Sequence, residues 1–184
     1  MRGNRRKEKF PSKGRVVFFA TGNIHKFNEA RSILTGLDIA VGMLRVKDIE
    51  IQSDSLVEIA QASALAAFKR CGLPVIVEDA GLFVDALKGF PGPYAAYAYK
   101  TIGNKGLLKL MKSVENRKAR FQSAIAYCDS EAEEPVIFEG EAAGKITSEE
   151  RVGNGKSGFG FDPIFQPISR RLDLADYNST KTSD

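Results

Sequence analysis

Apolar and polar residues follow one another along the chain in patterns that change from strand-like to helical and back. Residues 16–20 form a compact apolar run that predicts a strand. After a polar break, apolar side chains recur at the spacing of one helix face, at Ile24, Phe27, Ala30 and Leu34. Thr21 and Asn23, in the break, are of the types that cap helices. The free N–H groups at the helix start, with Lys26, favour a phosphate, and a plain capped helix stays the alternative.

The next segments predict strands and a longer helix. Residues 39–51 predict one or two strands, in which Glu50 is flanked by isoleucines and faces the opposite side from them. Its side chain is therefore a candidate to point into a cleft. Residues 55–70 are rich in alanine and carry apolar side chains on one face, and Gly72 and Pro74 end the predicted helix.

The second half of the chain changes to strand spacing. A short helix is predicted at residues 105–111, and from Arg120 to Cys128 the side chains alternate with a period of two. A polar turn over residues 129–134 and a return strand from Val136 complete an antiparallel hairpin. Helices followed by a hairpin predict an α/β fold with a mixed sheet and flanking helices, in two lobes around a central cleft.

Two adjacent carboxylates, Glu78 and Asp79, follow a short apolar run. The β-branched residues 75–77 stand between Pro74 and Gly81 and predict a short buried strand. Ligands of open α/β sheets gather beyond the carboxyl ends of such strands. We therefore expect the acids at the edge of a site, as metal ligands or as a general base, with a solvated acidic turn as the alternative.

A glycine-rich stretch over residues 153–163 offers a second candidate site. Its Gly155-Lys156-Ser157 imitates the end of a phosphate-binding P-loop, but Glu150 stands where the first glycine of that motif belongs. Phe159 provides an aromatic face and Asp162 an acceptor, a combination suited to stacking on a base and hydrogen-bonding to it.

Composition and charge narrow the class of protein. A chain of 184 residues with 43% hydrophobic content suits one packed core, and no stretch has the roughly 20 apolar residues of a membrane span. The net charge of +4 comes from residues 1–15, which predict a flexible basic tail before a single domain at 16–184. We therefore expect neither membrane nor nucleic acid as partner. Without a secretory signal, we expect a cytoplasmic protein in which Cys71 and Cys128 are reduced.

Three stretches in register carry a resemblance to a known family. They are Thr21–Lys26 with the following Glu29, Glu78–Gly92 and Ser157–Pro163. Together they resemble the inosine/xanthosine triphosphate pyrophosphatase family, which removes non-canonical purine nucleotides, and the chain looks most similar to archaeal members. The agreement in order and spacing runs from about residue 16 to 167.

The resemblance implies hydrolysis of ITP, dITP and XTP to the monophosphate and pyrophosphate, with Mg²⁺, in a cleft of an elongated two-lobed fold. It places the phosphates on residues of the first motif, namely Thr21, Gly22, Asn23 and Lys26. Glu50 and Asp79 would bind the metal, Asp79 would activate water and Lys26 would stabilise the leaving group. The base would be held by Phe159, Gly160, Phe161 and Asp162.

Two departures from the family pattern modify these expectations. Ala80, a position that the resemblance assigns to substrate binding, replaces the usual Ser or Thr and removes a hydroxyl beside the catalytic acid. Relatives also continue through a lysine and a Ser-His-Arg motif, which this sequence lacks, and Lys181 is the candidate for the lysine. We therefore expect an altered or truncated C-terminus and a weaker selectivity for the base.

Two functions from different classes remain open at this point. The resemblance implies a pyrophosphatase that forms a homodimer and acts on a purine nucleoside triphosphate. The alternative is a catalytically weakened nucleotide- or RNA-binding protein of the same fold, with the basic tail as a contact surface. Release of pyrophosphate from ITP distinguishes them.

Overall fold

A computed structural model of the chain describes residues 15–45, 51–130, 134–151 and 160–168. These residues form a mixed α/β fold with a seven-stranded sheet, which confirms the predicted fold class. The chain divides into two compact units, the first up to Asp79 together with Ala124–Glu139 and the second comprising Ala80–Ser123 and the chain from Gly140. Residues 1–14 of the predicted tail lie outside the described residues, and the single domain at 16–184 stays a prediction.

The first unit is built on parallel strands. Its elements are β1 (Arg15–Ala20), α1 (Ile24–Thr35), β2 (Ile39–Leu44), α2 (Leu56–Cys71) and the first half of β3 (Val75–Val84). β1 pairs in parallel with β2 along its whole length and with β3 only through Phe18 and Phe19, which stand opposite Val75 and Ile76. β3 therefore continues past the point where β1 ends.

The helices of this unit begin and end where the sequence predicts. Ser55 caps α2 by accepting a hydrogen bond from the Glu58 N–H at 3.3 Å, and Gly72 ends it in the left-handed conformation. Of the one or two strands predicted for residues 39–51, β2 is confirmed from Ile39 to Leu44, and Ile51 lies outside a strand. Residues 46–50, Glu50 included, are not among the described residues.

The second unit is built on antiparallel pairing. It holds the second half of β3, a 3₁₀ turn at Asp85–Leu87, β4 (Pro91–Gly92), α3 (Ala95–Thr101), α4 (Gly103–Leu110), a 3₁₀ turn at Asp162–Ile164 and β7 (Phe165–Pro167). β5 (Lys118–Cys128) and β6 (Val136–Ile146) contribute to both units. The strand order is β2-β1-β3-β5-β6-β7, with β4 on β3.

The core of the second unit explains why these short elements hold together. Fully buried side chains come from β3, α4, the following turn, β6 and the second 3₁₀ turn, and they are Leu82, Leu107, Met111, Ile146 and Ile164. The predicted hairpin is confirmed, since the Ile146 N–H donates to the Arg117 carbonyl at 2.9 Å while Gln122 bonds to Glu141. The predicted helix at 105–111 is α4, whereas α3 was not predicted.

Both cysteines are free thiols, as predicted, but only Cys128 belongs to the core. Cys71 is half-buried at the end of α2.

None of the helices in the described part of the chain combines the length and the apolar character that a membrane span needs.

β3 is longer than the sequence pattern predicts. The predicted strand covered residues 75–77 and ended before Gly81, yet β3 has ten residues and extends to Val84. Its second half is held by β4, where Leu82 stands opposite Gly92 and Phe83 opposite Pro91. The pairing that prolongs the strand comes from Pro91 and Gly92, which lie outside the apolar run that predicted the strand, so that run did not reveal it.

Two glycines of the Glu78–Gly92 stretch meet where β4 pairs with β3. A Cβ added to Gly81 would lie 2.8 Å from the carbonyl carbon of Gly92 and closer still to its oxygen. Real Cβ atoms do not approach backbone so closely, so the backbone would have to move. Gly92 itself has a φ of 57°, a conformation that suits glycine. The close approach accounts for glycine at position 81, and the positive φ favours glycine at position 92.

We expect Gly81→Ala to lower the free energy of unfolding by about 2 kcal/mol or more, because the added methyl group overpacks a backbone contact. Gly140→Ala is the matched control, since a Cβ at this exposed strand position meets nothing within 4 Å. Chemical denaturation of the three proteins measures the difference. Equal losses in both variants would show that the Gly81–Gly92 contact is not the cause.

Candidate active site

The start of α1 is organised by the side chain of Asn23. Its Oδ1 accepts hydrogen bonds from the backbone N–H groups of His25 at 2.9 Å and Lys26 at 3.3 Å. Thr21 Oγ1 accepts from the Asn23 N–H at 3.0 Å, which stabilises the turn before the helix. Both capping residues predicted from the sequence therefore take part, Asn23 in the cap and Thr21 in the turn before it.

This cap changes the predicted anion site. The sequence suggested that free backbone N–H groups at the helix start would bind phosphate, but those of His25 and Lys26 are already satisfied by Asn23. Two other polar groups lie at the start of α1, the Thr21 hydroxyl, which accepts from the Asn23 N–H, and the Lys26 ammonium, which pairs with Glu78. The space at Gly22 is open, since even an added Cβ would meet nothing within 4 Å.

Lys26 forms an ion pair with Glu78. The distance from Lys26 Nζ to Glu78 Oε2 is 3.6 Å, and the two side chains are 28% and 21% exposed. The pair joins the first turn of α1 to the middle of β3, which lie far apart in the chain. Both residues were noted in the sequence, but neither local pattern indicated that they meet.

Asp79 lies beside Glu78 on β3 but is presented differently. Side chains of successive strand residues leave the strand on opposite faces, so the two carboxylates, although adjacent in sequence, lie on opposite faces of β3. Asp79 is half-buried, and its Oδ2 is buried. Because β3 continues past the last residue of β1, both acids lie beyond the carboxyl end of a parallel strand, where ligands of α/β sheets collect.

A metal site is not complete within the described residues. No group of three or more His, Cys, Asp or Glu side chains close enough to hold an ion occurs in residues 15–45, 51–130, 134–151 and 160–168. Glu50, the predicted partner of Asp79 as metal ligand, lies outside these ranges. The role of Glu50 therefore stays a prediction.

The residues predicted to hold the base fall partly outside the described chain. Phe159 and Lys181 are not described. Gly160 has a φ of 60°, and Asp162 is exposed at the start of its 3₁₀ turn. Phe161 is 3% exposed and packs edge-to-face on Tyr99, with ring centroids 5.5 Å apart, so its ring belongs to the core of the second unit.

Ala80 is half-buried on β3, next to Asp79. Its methyl group offers no hydrogen-bonding atom, as the sequence indicated. Among the described residues, the structure thus brings one arrangement together in the first unit, formed by the capped start of α1, the Lys26–Glu78 pair and Asp79. The sequence pattern predicted Glu78 as an acid at the edge of a site, but the family resemblance gave it no role.

The sequence matches a known family over most of its length. The profile of the Ham1 family covers residues 17–182. A protein from Methanopyrus kandleri named dITP/XTP pyrophosphatase is 52% identical over 82% of this chain and 78% of its own. A relative of the same name from Ignicoccus hospitalis is 48% identical over 87% of this chain and 84% of its own.

Solved structures give the same result for the fold. A HAM1 protein from Coxiella burnetii superimposes with a TM-score of 0.72 at 31% identity, over 90% of either chain. A nucleoside-triphosphatase, also named dITP/XTP pyrophosphatase, from Mycobacterium abscessus superimposes with a TM-score of 0.67 at 28% identity, over 83% of either chain.

We expect Asn23→Ala to lower the free energy of unfolding by about 1 kcal/mol, the usual cost of losing a helix cap. Asn28→Ala is the control in the same helix, where an exposed interior asparagine is replaced by a better helix former and stability should not fall. Urea denaturation of both variants measures the effect. A stable Asn23→Ala protein would contradict the capping geometry.

Proposed function

Because the chain belongs to the Ham1 family, we propose that it hydrolyses non-canonical purine nucleoside triphosphates, such as ITP, dITP and XTP, to the monophosphate and pyrophosphate. The observation that carries this proposal is the 52% identity to a protein named dITP/XTP pyrophosphatase over 82% of the chain. The arrangement of Lys26, Glu78 and Asp79 supports it, because a cation and two carboxylates lie beyond the carboxyl end of β1, a position suited to ligands.

In the proposed reaction, the oxygen of a water molecule attacks the α-phosphorus and the bond from that phosphorus to the bridging oxygen breaks. The monophosphate and pyrophosphate are the products. Asp79 takes the proton of the water, which its carboxylate can accept. The Lys26 ammonium and the Thr21 hydroxyl bind phosphate oxygens, where the positive charge of Lys26 stabilises the leaving pyrophosphate.

A divalent cation belongs to this proposal, with Mg²⁺ as the ion. Carboxylate oxygens are the ligand type that Mg²⁺ prefers, so the carboxylate of Asp79 fits the ion, and Glu50 is the second proposed ligand. When bound, the cation neutralises charge on the phosphate oxygens that would otherwise repel the attacking water.

The base is proposed to contact the segment from Phe159 to Asp162, with Lys181. The exposed position of Asp162 supports this, because its side chain is within reach of solvent and of a ligand. Phe161 would act through its backbone, since its ring is in the core. We also propose a cytoplasmic location, and we infer a homodimer from the family resemblance.

The direct test is to incubate the chain with Mg²⁺ and with dITP, XTP, ITP, dATP or dGTP in parallel. We expect pyrophosphate and the monophosphate from the first three, with higher kcat/KM values than for the two common nucleotides. Release of orthophosphate in place of pyrophosphate would contradict cleavage at the α-phosphorus. Binding of dITP without turnover would favour the nucleotide-binding protein instead.

We expect Asp79→Asn to reduce hydrolysis of dITP by about 100-fold or more, the usual range for removing a general base, while the protein stays folded. Asp38→Asn provides the matched control, because this exposed turn residue has a φ of 57°, which asparagine adopts readily. Steady-state kinetics and circular dichroism of both variants are the measurements. Full activity in Asp79→Asn would remove Asp79 from the mechanism.

A further inference from the structure

We propose that Glu78 is a positioning residue for Lys26, whose ammonium it directs toward the phosphates of the substrate. The inference rests on the proposed function and adds a residue to it. Glu78 lies on β3 and Lys26 in the first turn of α1, and their side chains meet with Nζ and Oε2 3.6 Å apart.

The length of this contact matters for what Lys26 can still do. Charge-assisted hydrogen bonds between an ammonium and a carboxylate are about 2.7 to 2.9 Å long, so the pair at 3.6 Å is held by attraction between charges more than by a close hydrogen bond. An ammonium has three N–H donors. Lys26 is therefore drawn in one direction and keeps donors for phosphate oxygens.

Lys26 is fixed at both ends. Its backbone N–H donates to Asn23 Oδ1, which fixes its backbone in the first turn of α1, and its ammonium is held by Glu78. A lysine side chain has a flexible four-carbon stem and many rotamers, so an ammonium held at only one end would have to be ordered when substrate binds. The pair orders it beforehand.

The negative charge of Glu78 also acts on the substrate directly, and this second effect can be tested. A carboxylate close to a phosphate site repels a triphosphate, and Lys26 offsets that repulsion only while the pair exists. Removing the charge of Glu78 should thus help anion binding when Lys26 is absent. When Lys26 is present, the same change also releases the ammonium from its position.

The experiment compares the parent with Glu78→Gln, Lys26→Ala and the double variant. Glu139→Gln, the same replacement at an exposed strand position of the same unit, is the control. With dITP and saturating Mg²⁺, we expect kcat of Glu78→Gln to fall about 10- to 100-fold, with little change in KM. A loss of this size is expected when a catalytic group is misplaced. In the Lys26→Ala background, Glu78→Gln should cause no further loss. Equal losses in both backgrounds would overturn the proposal.

Two further measurements distinguish a positioning role of Glu78 from metal binding and from simple charge repulsion. The Mg²⁺ concentration for half-maximal activity should be the same in Glu78→Gln and the parent, and a clear increase would make Glu78 a metal ligand instead. Calorimetric titration with inorganic triphosphate should show tighter binding on Glu78→Gln only when Lys26 is replaced. If Glu78→Gln tightened triphosphate binding by the same factor with and without Lys26, Glu78 would act only by repelling the triphosphate.

The titration also separates the two proposals. If the parent releases no pyrophosphate from any triphosphate tested, the proposed function fails. The binding of inorganic triphosphate to the four proteins would still decide whether Glu78 acts through Lys26.

Discussion

The parallel pairing of β1 with β3 is the constraint on which the candidate site depends. It involves only Phe18 and Phe19 of β1, so β3 extends beyond it and carries Glu78 and Asp79 past the end of the shorter strand. The turn that leaves β1 leads directly into α1. Lys26 therefore reaches Glu78, a contact that no feature of either segment would produce alone.

At the start of α1, the side chain of Asn23 caps the helix and occupies backbone N–H groups that could otherwise bind an anion. Asn23 satisfies two backbone N–H groups that a phosphate could otherwise have used. The helix gains a defined beginning, and in the proposed function the anion is bound by side chains instead, those of Thr21 and Lys26. Under that proposal the ion pair with Glu78 is important, because a flexible side chain replaces part of a rigid backbone site.

Two glycines of the Glu78–Gly92 stretch serve packing in the second unit. Gly81 lies on β3, where a side chain would collide with the Gly92 carbonyl, and Gly92 ends β4 with a positive φ that favours glycine. The presence of these glycines in a functional motif thus has a steric explanation. They prolong the strand that carries Asp79, and they need not touch a substrate.

The sequence by itself determined the elements that depend on neighbouring residues. β1, α1, α2 and the hairpin appear where periodicity and capping residues predicted them, and the three motifs identified a family that the relatives confirm. Such features are local, because caps and turns involve residues a few positions apart.

The tertiary structure decided what depends on residues outside each local sequence pattern. β3 reaches Val84 because β4 pairs with it, Phe161 is a core residue because Tyr99 packs on its ring, and Glu78 meets Lys26 because β1 lies beside β3. From the local pattern alone, β3 could have been a short strand, Phe161 a ring that stacks on a base and Glu78 a solvated acid. Only long-range pairing and burial choose between them, since these interactions do not exist until the chain has folded.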